Sequence, residues 1–133
     1  MMILAIVLAV VASHLIGWFW YSKAGFGKKW MALSGMTEEK MAQMNAKGNT
    51  AAKSMTISVV LGLVTASILY VLIEKYGLRF GCVLGAWLAL AFPVYAHSAL
   101  WDDKGWKLVF LNAAQGLVST AAMAGVIYWF LLM

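Results

Sequence analysis

Acidic residues are scarce in this chain, and none lies inside a long apolar run: Glu38, Glu39, Glu74, Asp102 and Asp103 are the whole set. Charged residues of either sign make up 11% of the sequence, against about 25% in a soluble domain. That shortfall excludes a protein whose surface is mostly in water. A single cysteine, Cys82, excludes an intrachain disulfide and reads as a small packing residue in an apolar segment. Proline occurs once, at Pro93. No segment alternates apolar and polar residues with period two, which argues against a membrane barrel. There is no Gly-rich phosphate loop, nucleophile elbow, pair of intramembrane carboxylates or zinc-ligand cluster. These absences argue against an enzyme, and neither a metal nor a cofactor is expected.

What is abundant is hydrophobicity, at 64% of 133 residues. A helix crosses the bilayer core with about 20 apolar residues, and four runs meet that length, over about 2–22, 54–74, 79–101 and 107–132. The expectation is an all-α, integral membrane four-helix bundle forming one domain over 1–133. The first run resembles a signal peptide only superficially. It lacks a basic flank and a small-residue cleavage site, so it reads as a retained helix.

The net charge of +5 does not point to nucleic acid, because the Lys residues sit in short segments between apolar runs. Lys23, Lys28, Lys29, Lys40, Lys47 and Lys53 lie between the first and second spans, and Lys104 and Lys107 between the third and fourth; Lys75 and Arg79 alone lie on the opposite side. The positive-inside rule puts the Lys-bearing loops in the cytoplasm and both termini outside it. Trp20, Tyr21, Tyr70, Tyr76, Tyr128 and Trp129 read as interface anchors.

The 23–53 segment is the one sizeable polar stretch. Thr37 suits an N-cap, Glu38 and Glu39 suit the positive end of a helix, and Gly48 suits its close. A short cytoplasmic helix is therefore expected over 37–47, with an interfacial turn or helix over 27–34 carrying Lys28, Lys29 and Trp30.

Small residues recur every fourth position: Ala5, Ala9, Ser13 and Gly17; Ser54, Ser58, Gly62 and Ala66; Gly77, Gly81, Gly85 and Ala89; Gly116, Thr120 and Ala124. In lipid, close backbone approach through such faces drives helix association. They imply a tightly packed bundle, a homo-oligomer, or both. A fainter pattern sets His14 and Trp18 beside His97 and Trp101, each pair followed by a Gly-Lys-Trp cluster, which fits either a tandem duplication of helical hairpins or chance.

Ionisable residues within a span are costly and default to functional candidates. Only His14 and His97 qualify. At about 1.5 Å per residue, His14 lies roughly 12 Å inside Ser22, and Gln115 about the same depth inside Lys107. Asn112, Gln115, Ser119 and Tyr95 add polar groups in the same half, and Pro93 predicts a kink that reorients the His97 segment. Trp18, Trp101, Asp102 and Asp103 are candidates for a cytoplasmic mouth. The same groups also read as interhelical glue, at about 0.6 kcal/mol per contact. Two His without carboxylate or thiolate neighbours leave a metal shell incomplete.

Trp20-Tyr21-Ser22, then Phe26-Gly27-Lys28-Lys29-Trp30, then Gly35-Met36-Thr37-Glu38-Glu39, together with Lys53-Ser54 and the four-span layout, resemble the small bacterial membrane proteins of domain-of-unknown-function family 1761. The resemblance covers essentially the whole chain. It implies a bacterial inner-membrane protein and no particular activity. Small multidrug-resistance exporters are similar in size and span number, but they depend on an acid within their first helix, where this chain has His14.

Three functions compete. A small oligomeric transporter or channel-like protein would line its pathway with His14, His97, Asn112 and Gln115 and take a small molecule or ion. A non-transporting scaffold would use the Lys-rich loop to hold anionic lipid or a partner. An intramembrane enzyme acting on a lipid or quinone would need His14 or His97 as base, and neither has an evident partner.

Overall fold

The computed structural model describes residues 1–48 and 51–133; of the 23–53 segment, Asn49 and Thr50 lie outside the described residues. Among the described residues seven helices follow in order: α1 (Met2–Trp20), α2 (Gly27–Ser34), α3 (Glu38–Ala46), α4 (Ala51–Tyr76), α5 (Phe80–Leu90), α6 (Phe92–Trp101) and α7 (Trp106–Leu132). Four stretches are long and apolar enough to cross a bilayer: α1, α4, α5 with α6, and α7. The protein is thus a multi-pass, all-helical membrane protein.

The third crossing is broken at Ala91. Pro93 has no N–H to give the Ala89 carbonyl, and its ring crowds that carbonyl. The helix resumes with Val94 and Tyr95 bonding back to the Ala91 carbonyl at 3.0 and 3.3 Å.

The last helix, α7, is the central post. It packs on α1, α4, α5, α6 and α2, and its pairing with α1 is the most extensive in the molecule. Small residues make that approach possible: Ala5, Ala9 and Ser13 of α1 and Ala124 of α7 are buried. Gly62 and Ala66 of α4 are also buried. In α5, by contrast, Gly81 and Gly85 face open space.

The core is concentrated at one end. Ala5, Ala9, Ala66, Tyr70, Ile73, Val83, Ala124 and Ile127 form one cluster there, and Tyr128 donates to the Leu78 carbonyl beside it. This end also holds both chain termini. Towards the Lys-rich end α4 leans off the bundle, and every residue over 51–58 is exposed.

Two short helices follow at the Lys-rich end. After α1 the chain folds back sharply: Phe26 and Gly27 donate to the Trp20 and Ser22 carbonyls at 2.7 and 2.9 Å. A Cβ on Gly25 would run into the Phe19 and Trp20 carbonyls, and one on Gly27 into those of Tyr21 and Ser22. α2 ends at Gly35, whose φ of 69° is left-handed. Thr37 caps α3 by accepting from the Lys40 N–H at 3.2 Å, as its sequence pattern predicts.

Candidate ligand-binding cavity

Where α4 leans away, the bundle opens into a cavity of about 1170 Å³. Every crossing contributes to its wall. Asn112, Gln115 and Ser119 recur on α7 at intervals of three and four, so they share one face, and all three line it. His14 of α1, Ser58 of α4 and Tyr95 of α6 line it too.

His14 is held at both ring nitrogens. Its Nδ1 lies 2.8 Å from the Val10 carbonyl, and its Nε2 lies 3.0 Å from Ser58 Oγ. A carbonyl only accepts, so Nδ1 carries the hydrogen. In the neutral ring this leaves Nε2 to accept from the Ser58 hydroxyl. The contact ties α1 to the leaning half of α4.

A second chain of bonds ties α7 to α1: Gln115 Nε2 donates to Ser119 Oγ at 2.8 Å, and Ser119 reaches the Ser13 carbonyl at 3.5 Å. The third is Tyr21, one residue beyond α1, whose hydroxyl donates to Asn112 Oδ1 at 2.9 Å. Burial, and secondarily Tyr95, pushes the Tyr21 phenol up to about 12. Tyr21 is therefore a neutral donor at any physiological pH.

Glycines make room for these side chains. A Cβ on Gly17 would stand 3.3 Å from Gln115 Nε2, and one on Gly62 3.3 Å from the His14 ring. At Gly116 it would come within 2.9 Å of the Tyr95 hydroxyl and 3.0 Å of Trp87. Trp87 and Tyr95, with ring centroids 5.8 Å apart, flank the break in the third crossing. At the Lys-rich end, Trp30 of α2 sits edge-on to Tyr21 at 5.8 Å and lines the cavity with Met31 and Met41.

Of the residues singled out from sequence, the structure gathers His14, Tyr95, Asn112, Gln115, Ser119, Trp18 and Trp30 around this cavity. It does not bring His97 there. His97 is exposed and lies against Trp101, centroids 6.0 Å apart. The reason is helical geometry: two residues separate it from Tyr95, about 200° around the helix, so when one faces inward the other faces outward. Trp101 is 75% exposed, and Trp101, Asp102 and Asp103 do not line the cavity. Asp102 caps α6 and Asp103 adopts a left-handed φ of 53°, so both serve the turn into α7. Lys28 and Lys29 are exposed on α2.

Sequence reasoning missed Trp87, and it read Tyr21 only as a belt residue. No local pattern pairs Tyr21 with Asn112 across the intervening chain. For Trp87, the break at Ala91 removes a fixed phase with Tyr95.

These features define a small multi-pass membrane protein with a largely apolar cavity among its helices that carries a few polar side chains. Residues 4–128 match the family described as protein of unknown function (DUF1761), and the chain belongs to that family. No curated protein and no solved structure gives a significant match.

Proposed function

We propose that this protein is a small membrane carrier that binds an uncharged, hydrogen-bonding ligand in the cavity at its Lys-rich end. The supporting observation is the cavity itself: about 1170 Å³, somewhat above the about 300–1,000 Å³ typical of small-molecule sites. Interhelical glue alone accounts for paired polar groups, but not for a space of this size left between them.

The positive-inside rule orients the Lys-rich end to the cytoplasm, so the cavity opens in the cytoplasmic half of a bacterial inner membrane. The protein acts by binding rather than catalysis, since the described polar residues of the wall offer amides, hydroxyls and one imidazole, with no carboxylate among them. Exposed Lys28 and Lys29 on α2 suit contact with anionic headgroups at about 1 kcal/mol per charge, which holds the short helices at the interface.

The test is titration of 1-aminoanthracene, a small neutral aromatic amine, into the purified protein in nanodiscs. Saturable fluorescence enhancement above empty nanodiscs is expected, with affinity at least tenfold weaker in Ser119→Phe, which fills the cavity. Enhancement that never exceeds empty nanodiscs defeats the reading.

A further inference from the structure

The chemistry of the cavity wall narrows the ligand. No Asp, Glu, Lys or Arg stands among the described residues that line it. Lys104 belongs to a separate recess of about 210 Å³ that shares only Tyr95 and Asn112 with the main cavity. An ionised ligand would lose its hydration here without a counter-charge, which is strongly unfavourable.

On the α7 face of the cavity two polar atoms have no partner among the described residues, and the Tyr95 hydroxyl beside them has none either. Asn112 uses Oδ1 to accept from Tyr21, and its NH₂ is left without a partner among those residues. Gln115 uses Nε2 to donate to Ser119, and its Oε1 has none. Neither is among the polar atoms enclosed by protein. One donor and one acceptor, on one face of α7, call for a ligand that both accepts and donates.

The route in is lateral. α4 pairs substantially with neither α5 nor α6, and residues 51–58 of α4, level with α6, are exposed throughout. The gap between α4 and α6 faces the acyl chains of the surrounding leaflet. Towards water, Trp30, Met31 and Met41 lie across the cavity, an apolar floor rather than an ion path.

We infer that the ligand is an uncharged amphiphile of the bilayer. Its hydroxyl- and carbonyl-bearing head sits on Asn112 and Gln115, and its apolar chain leaves between α4 and α6 into lipid. This rests on the cavity being a binding site, as proposed above.

The experiment uses the full chain in nanodiscs containing either of two photoreactive lipids. One is a diacylglycerol with a diazirine and an alkyne on one chain; the other is the phosphatidic acid with identical chains. Cross-linked peptides are mapped by mass spectrometry. The neutral lipid is expected to label cavity residues such as Met55, Trp87 and Met123 at least tenfold more than the acid. Asn112→Leu and Gln115→Leu should each lower that labelling at least fivefold while leaving the acid's unchanged. In the unmodified protein, unlabelled diacylglycerol should compete, whereas triacylglycerol, which has no hydroxyl, should not.

Equal labelling by the two lipids, or equal competition by diacylglycerol and triacylglycerol, overturns the inference. If neither lipid reaches the cavity while 1-aminoanthracene still binds, the amphiphile is wrong and the binding site stands. If no probe enters, both readings fall.

Discussion

Gly116 is where a single methyl has the largest foreseeable effect. It lies beneath Tyr95 and Trp87, the two aromatics that flank the break in the third crossing, and an added Cβ would meet both at 3.0 Å or less. One contact is the end of a tyrosine and the other the edge of an indole ring, and each can move only by giving up its place in the wall. Gly116→Ala is expected to destabilise by about 1–3 kcal/mol, the range for overpacking. Gly81→Ala, which meets nothing, should stay within about 0.5 kcal/mol. Thermal melting of the two variants in the same detergent makes the comparison; equal melting temperatures would show that the glycine is not needed for close packing. At the same scale, the exclusion of His97 was legible in principle, because Tyr95 and His97 cannot share a helical face. The inward choice of Tyr95 was not, since it depends on the break at Ala91.

At the scale of elements, the fold-back after α1 gives physical content to the Gly- and Trp-bearing block from Trp20 to Trp30. Gly25 lets the last carbonyls of α1 come close and Gly27 those of Tyr21 and Ser22 just beyond it, Trp20 packs on Phe26 at 4.7 Å, and Trp30 is delivered to Tyr21. This block builds the foot of the cavity. The next element, α3, is a separate small unit held by its cap and by Lys40 Nζ donating to the Gly35 carbonyl at 3.0 Å. Thr37→Ala should weaken it by about 1 kcal/mol. Hydrogen exchange is expected to speed up several-fold across Glu38–Ala46 and stay unchanged in α1 and α7; slowed bundle protection would contradict a local role. The short helices and the crossings were readable because caps and apolar length are local properties. The leaning of α4 was not, because it reflects which helix pairs pack, and every crossing carries a small-residue face.

The whole molecule is a bundle closed at the end with the termini and open at the end with the lysines. That asymmetry depends on orientation, and orientation is testable directly. Alkaline phosphatase fused after Met133 should be active and a green fluorescent protein fusion dark, while Lys29→Cys in a Cys82→Ser background should react with membrane-impermeant maleimide only in inverted vesicles. A bright C-terminal fluorescent fusion would place the cavity at the opposite face. Sequence pattern disclosed the class of fold and the half of the bundle that carries the polar groups. It could not disclose a cavity, which is defined by packing that fails to occur.

The central position of α7 also bears on how the chain comes into being. The helix that touches every other crossing is made after the other three. Until then, His14, Ser58 and Tyr95 sit in spans already delivered to the lipid, and the face that completes their polar surroundings has not been made. A chain with only its first three crossings made therefore has no interior, and the cavity comes into existence only once α7 has joined them.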